Sequence, residues 1–250
     1  IKYLTDKYPE VEGFFFNEEN HVLKKSFNIK LCQAIVDNGL DKFKYECMAN
    51  FASLSQPLLE AMKKAGYYKI RIGIETLDED NSKKIFNTKN KIDKQKLYQV
   101  LNTSRQIGLK IYGTLTIGSY GATYDSDQYS IGQIASLWEK GLLQEFQVSI
   151  CTPMAGTPFY HQMEKEGLLA SKDNKCYDGN VSSVINYPHY SADKIEENFH
   201  KAHKLMKHIM DENQKKGIRY SMYDQEWCRA VYAIGKWLFF AFTVHMPEFD

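Results

Sequence analysis

The stretch IRIGIET, Ile70 to Thr76, indicates the fold most directly. It begins as an apolar, β-prone run and ends on a carboxylate, Glu75, which is followed by the hydroxyl of Thr76. Burying an unpaired carboxylate is costly, so we expect Glu75 at the exposed tip of a strand. A carboxylate held there can bind the hydroxyl groups or the amine of a small molecule. The stretch therefore predicts both a strand and a binding site at its end.

Similar β-prone runs recur on both sides of this stretch, with helical patterns between them. The five predicted strands are Gly13–Asn17, Lys44–Met48, Lys69–Glu75, Lys110–Ile117 and Glu145–Cys151. The predicted helices are Phe27–Asp37, a helix capped by Ser55 and stopped by Gly66, Lys94–Gln106 and Ser130–Lys140. Strand ends recur about one βα unit apart, which predicts a parallel sheet with helices outside it.

Several predicted strands end beside polar or glycine residues, which is typical of a barrel whose site lies at the carboxyl ends of its strands. The predicted strands are too few for a closed eight-stranded barrel. We therefore expect either an open sheet or a barrel with strands missing from its N-terminal side.

The pattern changes after the last predicted strand. Residues 171–190 are turn-rich and polar, which predicts a loop over the barrel or a linker. Residues 191–250 are predicted to be helical, beginning with an amphipathic helix at Ser191 and continuing in an aromatic-rich segment near Asp224. The apolar run Trp237–Val244 is too short to span a bilayer and predicts a buried segment or an interaction surface.

Composition excludes some classes of function. The 250 residues carry a net charge of +1 and few arginines, so nothing favours nucleic-acid binding. The five cysteines are scattered without a CxxC pair, which is typical of a reduced, cytoplasmic protein. No signal peptide is evident. Because the sequence opens on Ile1 without an initiator methionine, we expect it to be part of a longer protein.

Four segments, taken in order, resemble the radical S-adenosylmethionine (radical SAM) superfamily. They look closest to the branch that often carries an upstream cobalamin-binding domain. The segments are FFFNEENHV (Phe14–Val22), MKKAGYYKIRIGIET (Met62–Thr76), GTLTIGSYGATYD (Gly113–Asp125) and CTPMAGTPFYHQMEKEGLL (Cys151–Leu169). The chain departs from the family's pattern at Asn50, Tyr120, Ala122 and Ala155, where arginine, proline, glutamate and proline are usual.

The resemblance implies a partial, (β/α)6-type TIM-like barrel, with residues 1–170 holding its strands 2–6. It implies a 4Fe–4S cluster whose CxxxCxxC ligands lie upstream of this chain. Reductive cleavage of S-adenosylmethionine would give a 5′-deoxyadenosyl radical that abstracts hydrogen. For this branch the implied cofactors extend to cobalamin and the reactions to methyl transfer, as a transferase, or to rearrangement. The implied partners are a small-molecule or peptide substrate and a reductant such as flavodoxin or ferredoxin.

The resemblance also assigns cofactor-binding residues, one strand end at a time. Glu18 would meet the methionine amine, and Glu75 the ribose or the methionine end of S-adenosylmethionine. Leu115 and Ile117 would form an apolar wall for adenine. The remaining assigned positions are Gly118, where the backbone comes close, Ser149, Cys151 and Pro153, which would offer backbone groups to the adenine edge, and Asn50 in place of the usual arginine.

Other interpretations of these residues stay open. Glu18 and Glu19 could belong to a solvated loop, and Glu75 could form a rim salt bridge with a lysine. The barrel could be a non-catalytic module that binds S-adenosylmethionine, a nucleotide or a partner after losing the cluster. A βα-barrel lyase or aldolase would need a catalytic lysine at a strand end. The lysines nearest the strands, Lys44, Lys69 and Lys110, lie near strand starts instead.

Overall fold

The computed structural model describes residues 1–18, 20–85, 92–170, 179 and 182–217. The chain forms two compact units, Ile1–Lys207 and His208–Asp250. The first unit contains the sheet. In the second unit, the described residues 208–217 carry the end of the last helix. Glu19, half of the predicted loop 171–190, the predicted segment near Asp224 and Trp237–Val244 lie outside the described residues.

A five-stranded parallel sheet is the centre of the first unit. The strands are β1 (Gly13–Phe16), β2 (Lys44–Ala49), β3 (Tyr67–Glu75), β4 (Lys110–Ile117) and β5 (Glu145–Ile150). Each strand pairs with the next one in the sequence, in the order β1-β2-β3-β4-β5. The predicted α/β fold with a parallel sheet and a C-terminal helix is confirmed.

Eight α-helices lie in the described part of the chain. They are α1 (Lys2–Lys7), α2 (Lys25–Asp37), α3 (Gln56–Lys64), α4 (Glu79–Ile85), α5 (Lys94–Gln106), α6 (Tyr124–Glu139), α7 (Pro158–Lys165) and α8 (Ala192–Lys215). Helix α6 begins six residues before the predicted Ser130. Thr123 and Ser126 form a capping box there, with the Thr123 hydroxyl accepting from the Ser126 backbone N–H at 3.1 Å.

The strands present two different faces. Side chains alternate along a strand, and right-handed crossovers between parallel neighbours place the connecting helices on one side. The helix-covered face is apolar, with Ile72, Ile74, Leu115 and Ile117 at most 1% exposed. The opposite face, here called the polar face, carries hydroxyl, amide and charged side chains. The polar face is therefore where a hydrophilic ligand can contact the strands.

A buried charge cluster lies on the polar face near the strand starts. The Lys69 ammonium lies 3.2 Å from Glu145 and 3.6 Å from Glu46, and Arg71 also pairs with Glu46. Burial raises the pKa of the Glu145 carboxyl, while the Lys69 charge opposes that rise. Two cations face two anions, so the cluster is balanced. Lys69 is ion-paired near the strand starts. It is therefore poorly placed to act as the catalytic lysine of a lyase or aldolase, which would lie at the carboxyl ends of the strands.

Residues 182–190 pack against the carboxyl end of β4. Val184 and Ile185 are fully buried, and Ile185 bridges to Leu169. The Tyr187 hydroxyl donates to the Gly118 carbonyl at 3.4 Å. The described part of the predicted loop is therefore held against the end of β4. The division into residues 1–170, 171–190 and 191–250 stays a prediction. No helix among the described residues combines the length and apolar character needed to cross a bilayer.

Candidate functional site

The carboxyl ends of the five parallel strands meet at one edge of the sheet, here called the strand-end edge. Glu18 follows β1, Asn50 follows β2, Glu75 ends β3, Gly118 follows β4 and Cys151 follows β5. Parallel pairing places these ends side by side because all strands run in the same direction. The structure therefore brings one predicted residue from every strand to this edge.

Glu75 has an unusual backbone. Its φ is +60°, and it is the one non-glycine residue with positive φ among the described residues. The Thr76 N–H donates to the Ile74 carbonyl at 2.7 Å, which closes a three-residue γ-turn around Glu75. Such backbone conformations cost about 1–3 kcal/mol and concentrate at functional sites. The surrounding contacts must therefore hold Glu75 in place.

Two threonines on the neighbouring strand hold the Glu75 carboxylate. The Thr114 hydroxyl donates to Oε1 at 2.9 Å and the Thr116 hydroxyl donates to Oε2 at 2.5 Å. Hydrogen bonds to a charged group contribute about 1.5–3 kcal/mol each, enough to offset the strain of the turn. The salt bridge with a lysine that the sequence left open is not formed among the described residues. Each carboxylate oxygen keeps further acceptor capacity for a ligand.

Gly73 leaves the room that this carboxylate needs. A Cβ built at Gly73 would lie 2.7 Å from Glu75 Oε1, closer than real Cβ contacts come. A β-bulge between Gly73 and Glu75 shifts the register so that Glu75 lies opposite Leu115. The glycine, the bulge and the turn together direct Glu75 over β4.

Glu18 is held by a histidine that the sequence interpretation missed. Its side chain is 60% exposed, and one carboxylate oxygen lies 3.1 Å from His21 Nδ1. His21 Nε2 lies 2.8 Å from the buried Tyr67 hydroxyl, and the imidazole stacks on Phe16. The signal available was the spacing in NEENH, which places His21 three residues after Glu18. Glu18 is thus both solvent-accessible and anchored at one oxygen.

Asn50 organises the turn after β2. Its side-chain oxygen accepts from the Ala52 N–H at 2.9 Å and caps the short 3₁₀ helix Phe51–Ser53. Its own backbone N–H donates to the Asn20 side chain at 3.2 Å, which ties the loop after β1 to the end of β2. The structure gives Asn50 a structural task at the edge, and its contact with a cofactor stays a prediction.

Leu115 and Ile117 lie on the helix-covered face and not beside Glu75. They are 1% and 0% exposed, while Thr114 and Thr116, which alternate with them, contact the carboxylate. The structure therefore does not bring the predicted apolar wall to the face on which Glu75 lies. Strand alternation in KIYGTLTI was the signal that could have identified the threonines.

Gly118 follows β4 with a φ of +72°, and a Cβ there would lie 2.7 Å from Ile195 Cγ2 in α8. Its N–H donates to a carboxylate oxygen of Asp127 at 2.8 Å, and Tyr190 donates to the same oxygen at 2.8 Å. Burial raises the pKa of Asp127 to about 6. Close helix packing thus accounts for this glycine, while its predicted approach to a cofactor stays a prediction.

The end of β5 contributes Ser149, Cys151 and Pro153. Ser149 is in register with Thr116, so it lies on the polar face at the strand-end edge. The Cys151 N–H donates to the Ile117 carbonyl at 2.8 Å, and burial raises the pKa of its thiol to about 11. A thiol of that kind is protonated at neutral pH and is a poor nucleophile. Pro153 is buried.

The described residues hold no group of three or more histidine, cysteine, aspartate or glutamate side chains that could bind a metal ion. Cys32 and Cys47 are buried, with pKa values raised by burial, and Cys176 and Cys228 lie outside the described residues. The described residues therefore do not fit an iron–sulfur cluster.

Comparison with known proteins gives structural similarity only. No family model matches the chain, and no curated protein matches it. Solved structures do match. The chain is similar in structure to radical SAM enzymes.

Three solved structures represent this similarity. Coproporphyrinogen III oxidase (HemN) from Escherichia coli, a radical SAM enzyme, is 15% identical with a TM-score of 0.49 and covers 73% of the chain. The radical S-adenosylmethionine methyltransferase TsrM from Kitasatospora setae matches in two structures. One has tryptophan and a SAM analog bound (10% identity, TM-score 0.47, 59% of the chain), and the other has cobalamin and a [4Fe-4S] cluster (12%, 0.46, 69%).

The chain spans only part of the length of each of these proteins. It spans 37% of HemN, 28% of TsrM with tryptophan bound and 33% of TsrM with cobalamin bound.

Proposed function

We propose that this chain is most of the catalytic barrel of a radical SAM enzyme, and that its strand-end edge binds S-adenosylmethionine. The observation that carries the proposal is Glu75, a strained carboxylate held by two hydroxyl donors at the end of a central strand. Backbone conformations of this kind concentrate at active sites and ligand-binding sites. The four sequence segments that end at this edge supply the choice of ligand.

The residues at the edge fit S-adenosylmethionine chemically. Glu75 has free acceptor capacity on both oxygens, which suits two neighbouring ribose hydroxyls. Glu18 is an exposed carboxylate anchored by His21, which suits the ammonium of the methionine moiety. Ser149 adds a further polar group on the polar face, where Glu75 also lies. When bound and reductively cleaved, S-adenosylmethionine supplies the radical that abstracts hydrogen from a substrate.

A 4Fe–4S cluster, a substrate and a reductant are also part of the proposal, although no contact among the described residues involves them. Because those residues do not fit a 4Fe–4S cluster, its cysteine ligands would come from sequence not included in this chain. The substrate is proposed to be a small molecule or peptide, and the reductant a flavodoxin or ferredoxin. Cobalamin-dependent methyl transfer and rearrangement are the two proposed outcomes of the radical chemistry.

The first test uses the full-length protein. Iron, acid-labile sulfide and formation of 5′-deoxyadenosine under dithionite are measured after anaerobic purification. We expect all three. A full-length protein with no cysteine triad and no iron would overturn the enzymatic proposal and favour the non-catalytic binding barrel.

The second test compares Glu75→Gln with Glu139→Gln, an exposed control on α6. We expect Glu75→Gln to weaken S-adenosylmethionine binding roughly 10-fold or more, because hydrogen bonds to a charged acceptor are lost. The control is expected to bind as the wild type does. Calorimetric titration of the reconstituted full-length protein is the measurement. Unchanged binding and cleavage in Glu75→Gln would remove Glu75 from the site.

A further inference from the structure

On the basis of the function proposed above, we infer that Thr114 and Thr116 are positioning residues, which orient the Glu75 carboxylate toward a vicinal diol of the ligand. Neither threonine was identified from the sequence as part of the site. Each donates to a different oxygen of Glu75, at 2.9 Å and 2.5 Å. We call Thr114 and Thr116 the threonine pair.

The strand register explains why the pair reaches both oxygens. Residues two apart on a strand project from the same face, so the two hydroxyls lie along one line on the polar face. Glu75 lies opposite Leu115, the residue between the two threonines. The β-bulge after Gly73 causes this pairing. Without the bulge, regular pairing would place Ile74 opposite Leu115 and Glu75 opposite Thr116. The bulge therefore centres the carboxylate on the pair.

The orientation follows from the way the carboxylate is held. Two donors from one strand fix both oxygens on the side that faces β4, and Gly73 leaves space for Oε1. Each oxygen keeps further acceptor capacity for a ligand. A carboxylate can accept from two adjacent hydroxyls at once, and holding it in one orientation beforehand avoids the entropy cost of ordering it when the ligand binds. The pair therefore contributes to affinity without contacting the ligand.

The experiment separates positioning from packing by changing protein and ligand together. The full-length holoprotein is titrated with S-adenosylhomocysteine and with its 3′-deoxyribose analogue, which has no vicinal diol. The variants are Thr114→Val/Thr116→Val, Thr114→Ser/Thr116→Ser and Glu75→Gln. The control is Thr103→Val, a buried threonine in the last turn of α5, ahead of the start of β4.

We expect the double valine variant to bind S-adenosylhomocysteine about 10-fold more weakly, because an unheld carboxylate loses its orientation. Its affinity for the 3′-deoxyribose analogue should change less than about 2-fold, since the coupled contact is already missing. The double serine variant keeps both hydroxyls and should bind as the wild type does. A general packing defect would weaken the binding of both ligands equally, and the double serine variant would not restore binding.

The outcomes distinguish this inference from the function on which it rests. Equal losses for both ligands, or wild-type binding by the double valine variant together with weak binding by Glu75→Gln, would overturn the role of the pair and leave the proposed function standing. Wild-type binding by Glu75→Gln would overturn the role of the pair and remove Glu75 from the site, whereas no binding of either ligand by the wild-type holoprotein would overturn the proposed function. If the double valine variant does not fold, the single alanine and serine variants at each position are compared in the same titration, with the same criteria.

Discussion

Glu75 adopts a backbone conformation that glycine would adopt more easily, yet a glycine there would have no carboxylate. Its φ of +60° is compensated by hydrogen bonds from Thr114 and Thr116 across the β3–β4 pair. A non-glycine residue is retained at positive φ when its side chain is needed in that place. At the scale of single residues, the site is therefore a carboxylate on a strained backbone, held by two threonine hydroxyls.

Gly73→Ala is the substitution that tests the space around this carboxylate. The new Cβ would lie 2.7 Å from Glu75 Oε1, so the carboxylate has to move. We expect affinity for S-adenosylmethionine to fall about 10-fold, because the carboxylate leaves its hydrogen bonds. Isothermal titration of the full-length protein measures the loss.

Gly132→Ala is the matched control for this change. Nothing lies within 4 Å of a Cβ at Gly132, which is inside α6, so alanine should stabilise the fold by about 0.5–1 kcal/mol and leave affinity unchanged. Equal affinity of the two alanine variants would show that the space beside Gly73 is not needed.

At the scale of elements, the strand-end edge depends on how α8 packs against β4. Gly118 lies where the two elements meet, and Ile195 Cγ2 is 2.7 Å from the position that a Cβ at Gly118 would take. Residues 182–190 close over the same point through Tyr187, which donates to the Gly118 carbonyl. The segments after the sheet therefore help to shape the edge, although they contain none of its strand ends.

Gly118→Ala is expected to destabilise the protein by about 2–4 kcal/mol, since it adds both backbone strain and a clash with Ile195. Gly141→Ala isolates the first contribution. Its φ is +66° and nothing lies within 4 Å of its Cβ, so the expected cost is about 1–2 kcal/mol. Urea unfolding of both variants gives the difference. If the two lose equal stability, the packing of α8 on Gly118 is looser than the distances indicate.

At the scale of the whole first unit, Asp127 joins the end of β4, helix α6 and residues 182–190. It accepts from the Gly118 N–H and the Tyr190 hydroxyl, and Asn198 of α8 donates to the same hydroxyl. Burial raises the Asp127 pKa from its ordinary 3.8 to about 6. One buried carboxyl thus couples four parts of the unit to pH.

The sign of this coupling follows from proton linkage. A carboxyl whose pKa is higher in the folded state favours folding when protonated, so its contribution is lost as pH rises from about 4 to 6. The loss is on the order of 1–3 kcal/mol. Asp127→Asn should remove this part of the pH dependence, as measured by calorimetric melting between pH 4 and 7.

Tyr190→Phe is the companion variant. Its hydroxyl hydrogen bond lowers the Asp127 pKa, so the variant should extend the loss of stability above pH 6. A wild-type pH profile in Asp127→Asn would mean that another group titrates in this range.

The sequence predicted the sheet well because parallel strands and helices leave strong local patterns. β4 has the predicted boundaries, and β3 has the predicted end but begins two residues earlier, at Tyr67. Apolar runs and the glycine stops after helices are local signals, because they depend on neighbouring residues only. Helix α6 was predicted too short because its start depends on a capping box rather than on apolar periodicity. The adenine wall at Leu115 and Ile117 stays a prediction, and the structure places both side chains on the face of β4 that the helices cover.

The sequence by itself determined the order of strands and helices, the edge at which the strand ends meet, and Glu75 as the carboxylate of interest, because these follow from patterns within a few neighbouring residues. Only the tertiary structure decided how Glu75 is held. Its contacts with Thr114 and Thr116 join residues 39 and 41 positions apart, and they depend on a bulge that shifts the register by one residue. Such contacts arise from the pairing of strands, and no local pattern encodes them.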